Sequence, residues 1–126
     1  MPLGVCKREQ LAGFYRDAGA CCFPSLFEPF GYTGLEAMAC GGLVIGSQGT
    51  GMAEILNDTC GLLAPPGDAA GLAAALTLAL GMSIEERTRI KQAAQERVRE
   101  TFDNSVIVPK LLGVYRKAID SYSNRH

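Results

Sequence analysis

Glu28 and Glu36 stand with seven residues between them, at the two ends of EPFGYTGLE. A carboxylate accepts two hydroxyl hydrogen bonds at once, which suits the vicinal diol of a sugar. Gly31 and Gly34 would let a ligand approach the backbone closely. A helix opening inside this segment would aim unpaired N–H groups and the positive end of its dipole at an anion such as phosphate. Two carboxylates beside such an opening could grip a ribose on one side and a hexose on the other. On spacing alone, plainer readings stand beside these. Thr33 and Glu36 also fit a helix capping box, S/T-x-x-E, and Glu28 fits a solvent-facing loop residue. Gly41 and Gly42 read as a helix stop. Glu54 reads equally as a surface residue of a short helix.

The elements around that segment follow from hydrophobic periodicity and punctuation. Residues 7–18 predict a helix with Leu11, Phe14, Tyr15 and Ala18 on one face. Residues 20–23 predict a buried strand ended by Pro24, and 25–32 a loop. Residues 33–40 predict a helix, 43–47 a second buried strand, 49–51 a tight turn and 52–56 a short helix. Residues 61–64 predict a third strand, stopped by Pro65 and Pro66. Asp68 is the expected N-cap of a helix running to Leu80, with Gly81 as its stop. Ser83 and Glu86 predict a capping box for the next helix, whose apolar stripe is Ile90, Ala94, Val98 and Phe102. Asp103 opens the last segment, where Pro109 either kinks the helix or marks its first turn. Its stripe is Val108, Leu112, Tyr115, Ile119 and Tyr122. Short apolar strands separated by helices imply a parallel sheet covered on both faces. The expected fold is therefore an α/β, Rossmann-like sheet of about three strands with flanking helices. The strand and glycine-rich turn that usually open such a fold are missing, which makes this its second half.

Composition narrows the function classes. The 126 residues are 48% hydrophobic, enough for the core of one domain. Leu72–Leu80 is far shorter than the roughly 20 residues of a membrane span, and the N-terminus lacks the order of a secretory signal. Five cysteines, an odd number without zinc-site spacing, agree with a cytoplasmic chain holding small buried thiols and no metal. No Lys or Arg occurs between Arg16 and Arg87, while nine follow from Arg87 to Arg125. Those later cations read as solvated helix faces. The cation-free glycine-rich segment argues against a nucleic-acid partner. His126 is the sole histidine, so no Ser-His-Asp or Cys-His centre of ordinary form is available.

The stretch PSLFEPFGYTGLEAMACGGLVIGSQGTGMAEI resembles the C-terminal donor-binding domain of retaining GT-B glycosyltransferases. The similar group contains bacterial polysaccharide mannosyl- and glucosyltransferases and sucrose synthase. GLLAPPGDAAGLAAAL and RVRETFDNSVIVPKLLGVYRKAI resemble the strand and helices that follow in that family. The resemblance implies roles. Glu28, with the backbone of Pro29, Phe30 and Gly31, would orient the donor sugar. The amides near Tyr32, Thr33, Gly34 and Leu35 would meet the diphosphate, and Glu36 would hold the ribose hydroxyls. The donor would be a UDP- or GDP-sugar, with no separate cofactor. The family's basic pair, acceptor site and commonly used His come from parts upstream of this segment.

The expected unit is one partial nucleotide-sugar-binding domain over 1–126, with a core at 19–80 and C-terminal helices at 83–122. It would work with an N-terminal domain or partner chain, binding donor weakly and transferring nothing by itself. The open strand at 20–23 would favour a homodimer. The alternative reading is a non-catalytic accessory module, or a degenerate Rossmann-like one, that needs a partner chain.

Overall fold

The computed structural model describes residues 2–123; His126 lies outside them. The chain runs α1 (Arg8–Asp17), β1 (Cys21–Phe23), α2 (Tyr32–Ala39), β2 (Val44–Ser47), α3 (Met52–Ile55) and β3 (Leu62–Ala64). It continues through α4 (Ala69–Gly81), α5 (Ile84–Arg97), a π-turn (Val98–Phe102) and α6 (Asn104–Ser123). The three strands form one parallel sheet in the order β1-β2-β3, with Cys22 beside Ile45 and Ile45 beside Leu62. β2 is wholly buried, as the centre of a covered parallel sheet must be. β1 and β3 are its edges among the described residues.

Alternation along β2 sends side chains to two cores. Val44 joins Ala37, Met38, Met52, Ile55 and Ala94 on one face. Leu43 and Ile45 join Ala64, Ala79 and Ile90 on the other. Helix α5 contributes Ala94 to the first core and Ile90 to the second, so it closes the sheet at one end.

Helix boundaries follow their capping chemistry. Gly41, at φ 82°, ends α2 in a Schellman motif, with Gly41 N–H donating to Met38 O and Gly42 N–H to Ala37 O. Asp68 accepts from Ala70 N–H at 3.0 Å and caps α4. Ser83 and Glu86 form the expected capping box. The end of α4 differs from expectation: Gly81 lies within the helix, and the extended residue that ends it is Met82. A left-handed stop is unnecessary there because the Arg87 guanidinium donates to the carbonyls of Ala79 (2.9 Å) and Leu80 (3.5 Å).

That bond belongs to a wider pattern. From α5, Arg87 also donates to Gly19 O, Lys91 to Arg16 O, Gln95 to Ala39 O, and Arg97 to Glu54 O and Ile55 O. One helix thus satisfies carbonyls at or near the C-terminal ends of all four preceding helices. The cations of α5 are therefore not merely a solvated face.

The stripe expected on the last helix lies elsewhere than in a core. Val108, Leu112, Tyr115, Ile119 and Tyr122 are all exposed, and α6 buries no residue among those described. Pro109 sits in the second turn, not the first. Among the described residues no single helix is long and apolar enough to cross a membrane.

Candidate functional site

The carboxyl ends of the three strands put three loops along one edge: residues 24–31, 48–51 and 65–68. In open α/β sheets this edge is where ligands bind. Its central feature is the opening of α2. Gly31 is the N-cap, at φ 102° and ψ 44°, and no side chain caps this end. The helix therefore leaves the N–H groups of Tyr32, Thr33 and Gly34 without an intrahelical partner. Tyr32 and Thr33 are exposed.

Two expectations change here. The Thr33–Glu36 capping box does not form, because the helix begins one residue early and Thr33 is already inside it. Glu36 consequently falls in the second turn rather than the first. Leu35 is also withdrawn as an amide donor to a ligand, since its N–H already bonds Gly31 O at 3.0 Å.

The glycines serve packing before ligand approach. Gly31 and Gly34 are buried. A Cβ on Gly34 would lie 2.7 Å from Met52 Sδ, and one on Gly31 would lie 3.2 Å from Met52 Cγ. Gly46 faces the same side chain, at 2.8 Å from Met52 Cβ. Three glycines thus make the slot in which Met52 supports the opening of α2 from below. Met52 went unnoticed as a site residue; the signal in the sequence was the coincidence of three glycines with one buried, flexible side chain.

Glu28 is half-buried in the loop between β1 and α2. Its carbonyl accepts from Gly51 N–H at 2.7 Å, and Gly51 packs so closely on Phe30 that a Cβ there would lie 2.5 Å from Phe30 N. The turn at 49–51 is shaped in its own right, with Thr50 Oγ1 donating to Ser47 O (2.8 Å) and accepting from Met52 N–H (3.3 Å). Glu28 lines a groove of about 470 Å3 with Phe27, Pro29, Thr50 and Glu54. Phe30 turns its ring into the first core, so only its backbone remains near this edge.

Glu36 is exposed and lines a different groove, of about 530 Å3, with Cys6, Arg8, Leu11, Tyr15 and Cys40. Burial, and then the charge of Glu36, push the Tyr15 phenol above its ordinary value of 10.0. The two acids therefore do not share a groove: Glu28 lies in the loop that leads into α2, and Glu36 lies on the second turn of that helix. Arg8 brings a cation to the lining of the Glu36 groove, which inspection of the glycine-rich stretch alone missed. A third cavity, about 240 Å3, lies between the strand ends and α4, lined by Pro24, Ser47, Ala64 and Asp68, and holds none of the expected site residues.

A family model described as glycosyl transferases group 1 matches residues 2–97. The chain belongs to that family. It is 32% identical over 113 residues to an MMP alpha-(1→4)-mannosyltransferase of Mycolicibacterium hassiacum, covering 88% of this chain and 27% of that protein. The sucrose-phosphate synthase of Thermosynechococcus elongatus superposes with a TM-score of 0.84 at 34% identity, over 94% of this chain and 30% of that one. The C-terminal domain of a group 1 family protein from Francisella tularensis matches with a TM-score of 0.68 at 25% identity. That match covers 79% of this chain and 51% of that domain. The group 1 chain thus has the Rossmann-like fold of GT-B enzymes, and it spans under a third of the length of the full-length relatives it matches.

Proposed function

We propose that this chain binds the nucleotide-sugar donor of a retaining glycosyltransferase that moves a hexose to a glycan or glycolipid acceptor. The observation that carries this reading is the uncapped opening of α2, with Glu28 in the loop before it and Glu36 on its second turn, each lining a groove of its own. The diphosphate would lie over the N–H groups of Tyr32, Thr33 and Gly34. The ribose would lie on the Glu36 side and the hexose on the Glu28 side. Each carboxylate accepts from hydroxyls without becoming a nucleophile, so both are orienting groups. Arg8 and Tyr15 line the ribose-side groove, whose size suits a nucleoside.

Transfer needs the remaining two-thirds of the enzyme. An exposed helix end stabilises an anion by only about 0.3–1 kcal/mol, so these amides hold a diphosphate weakly. The exposed stripe of α6 also fits a chain whose faces are finished by other parts of the protein. The accessory-module reading differs only in whether those parts are covalently attached.

The test is an NMR titration of the 15N-labelled chain with UDP, GDP, UDP-glucose and GDP-mannose. Shifts should centre on Tyr32, Thr33 and Gly34. Glu36→Gln should weaken a ribonucleotide about tenfold or more, the value of a charged hydrogen bond, and leave a 2′,3′-dideoxynucleotide unaffected. Shifts elsewhere, or equal losses for both nucleotides, would remove the reading.

A further inference from the structure

We infer that Phe102 and Arg97, both outside the donor edge, are positioning residues that hold the donor loop in shape. The inference rests on the donor-site reading above and adds to it the groups that keep the loop in place.

The loop at 24–31 is rich in proline and glycine and carries no regular structure. Its anchor is Phe30, whose ring is turned into the first core. That ring lies 4.8 Å from the Tyr32 ring and 5.9 Å, edge to face, from Phe102. Phe102 ends the π-turn, whose wider i→i+5 winding changes the direction in which the helix presents its last side chains. The Arg97 guanidinium then stacks over Phe102 at 5.8 Å from the ring centre. The same guanidinium donates from Nε to Ile55 O at 2.6 Å and from Nη2 to Glu54 O at 2.9 Å.

Two tethers therefore converge on the loop. From one side, Arg97 fixes the end of α3, and α3 begins directly after Gly51, which donates to the Glu28 carbonyl. From the other side, Arg97 backs Phe102, and Phe102 backs Phe30. The backbone between Glu28 and the first turn of α2 is thus held at both ends by one arginine–phenylalanine unit. Neither residue lines the grooves of Glu28 or Glu36, so their effect on a ligand would pass through the loop.

Hydrogen exchange in the full chain, read by NMR, tests this. The Gly51 and Leu35 amides report the loop, through their bonds to Glu28 O and Gly31 O. The Cys21 amide, bonded to Leu43 O, reports the sheet. In Phe102→Leu, which keeps an apolar side chain but removes the ring pair, loop exchange should speed about tenfold relative to Cys21. UDP or GDP affinity should fall by a similar factor, and Phe102→Tyr should restore both. Arg97→Lys, which keeps the charge but loses the planar fork, should give the same pattern at roughly threefold; it serves where Phe102→Leu does not fold. Unchanged loop exchange, or equal acceleration at Gly51, Leu35 and Cys21, overturns the inference. Faster loop exchange in a chain whose wild type binds neither nucleotide upholds the anchoring and removes the donor reading instead.

Discussion

Replacing Gly31 with alanine separates the packing role of this glycine from a ligand-approach role. The residue sits at φ 102°, where a Cβ meets its own backbone. For an L-residue, left-handed backbone costs about 1–2 kcal/mol. The added methyl would also meet Met52 Cγ at 3.2 Å and Ile55 Cδ1 at 3.3 Å, and Met52 is only 1% exposed, so it has no open space to move into. Overfilling of this kind costs about 1–3 kcal/mol. The sum for Gly31→Ala is about 2–5 kcal/mol, which should lower the urea midpoint by about 1–2 M. In a Met52→Ala background the Met52 part of the packing cost disappears, leaving the backbone part of about 1–2 kcal/mol and the smaller contact with Ile55. Urea unfolding followed by circular dichroism for the four proteins of this cycle gives both parts. A cost below about 0.5 kcal/mol, or the same cost in both backgrounds, would refute the packing argument. Lost nucleotide binding at unchanged stability would instead support close ligand approach at this position.

Arg87→Met keeps the apolar stem but removes the bonds to Gly19 O (2.7 Å) and Ala79 O (2.9 Å). At about 1.5 kcal/mol for each charge-assisted bond in a half-exposed setting, the loss should be about 3 kcal/mol by urea unfolding; a loss within 0.5 kcal/mol would mean the clasp contributes nothing. Stability should also fall at alkaline pH. Burial raises Cys21 and Cys22 above 9.0, and burial with the Glu36 charge raises Tyr15 above 10.0. The unfolded chain therefore loses these protons first, so the stability they add is complete below about pH 9 and disappears as pH rises through the folded values. The urea midpoint should be level to about pH 8.5 and then decline, and substituting Cys21 and Cys22 by alanine should flatten the first part of that decline. A midpoint that rises above pH 9 contradicts the sign.

Much of this arrangement was legible in the sequence, because local rules and tertiary structure agree along most of the chain. The strands were marked by short apolar runs, two of them closed by Pro24 and Pro65. The caps at Asp68 and Ser83 announced themselves by residue type, and Gly41 by its place after an apolar run. Legibility failed where a distant group replaced a local one. The end of α4 needed no glycine stop because Arg87 supplies the donors, and nothing near Gly81 discloses that. The start of α2 was misplaced by one residue because Thr33 matches a capping pattern that Gly31, free to take a left-handed conformation, makes unnecessary. The stripe of α6 was read correctly as apolar, but periodicity says which face is apolar and not what covers it.

The uneven charge of the sequence acquires a physical cause once the helices are in place. Helices in a parallel α/β layer run against the strands, so their C-termini gather at one edge and their N-termini at the other. Arg87, Lys91 and Arg97 of α5 reach the first edge, where helix carbonyls carry partial negative charge, and each is favourable there. The stretch from Asp17 to Glu86, without a single Lys or Arg, supplies the loops of the opposite edge. That edge presents positive helix ends and carboxylates, the groups on which the proposed donor site rests. Lys7 and Arg8 are the exceptions: they open α1, where the dipole disfavours a cation, and Arg8 lines the groove of Glu36. Helix α1 gains nothing from cations at that end, so its own dipole does not account for them.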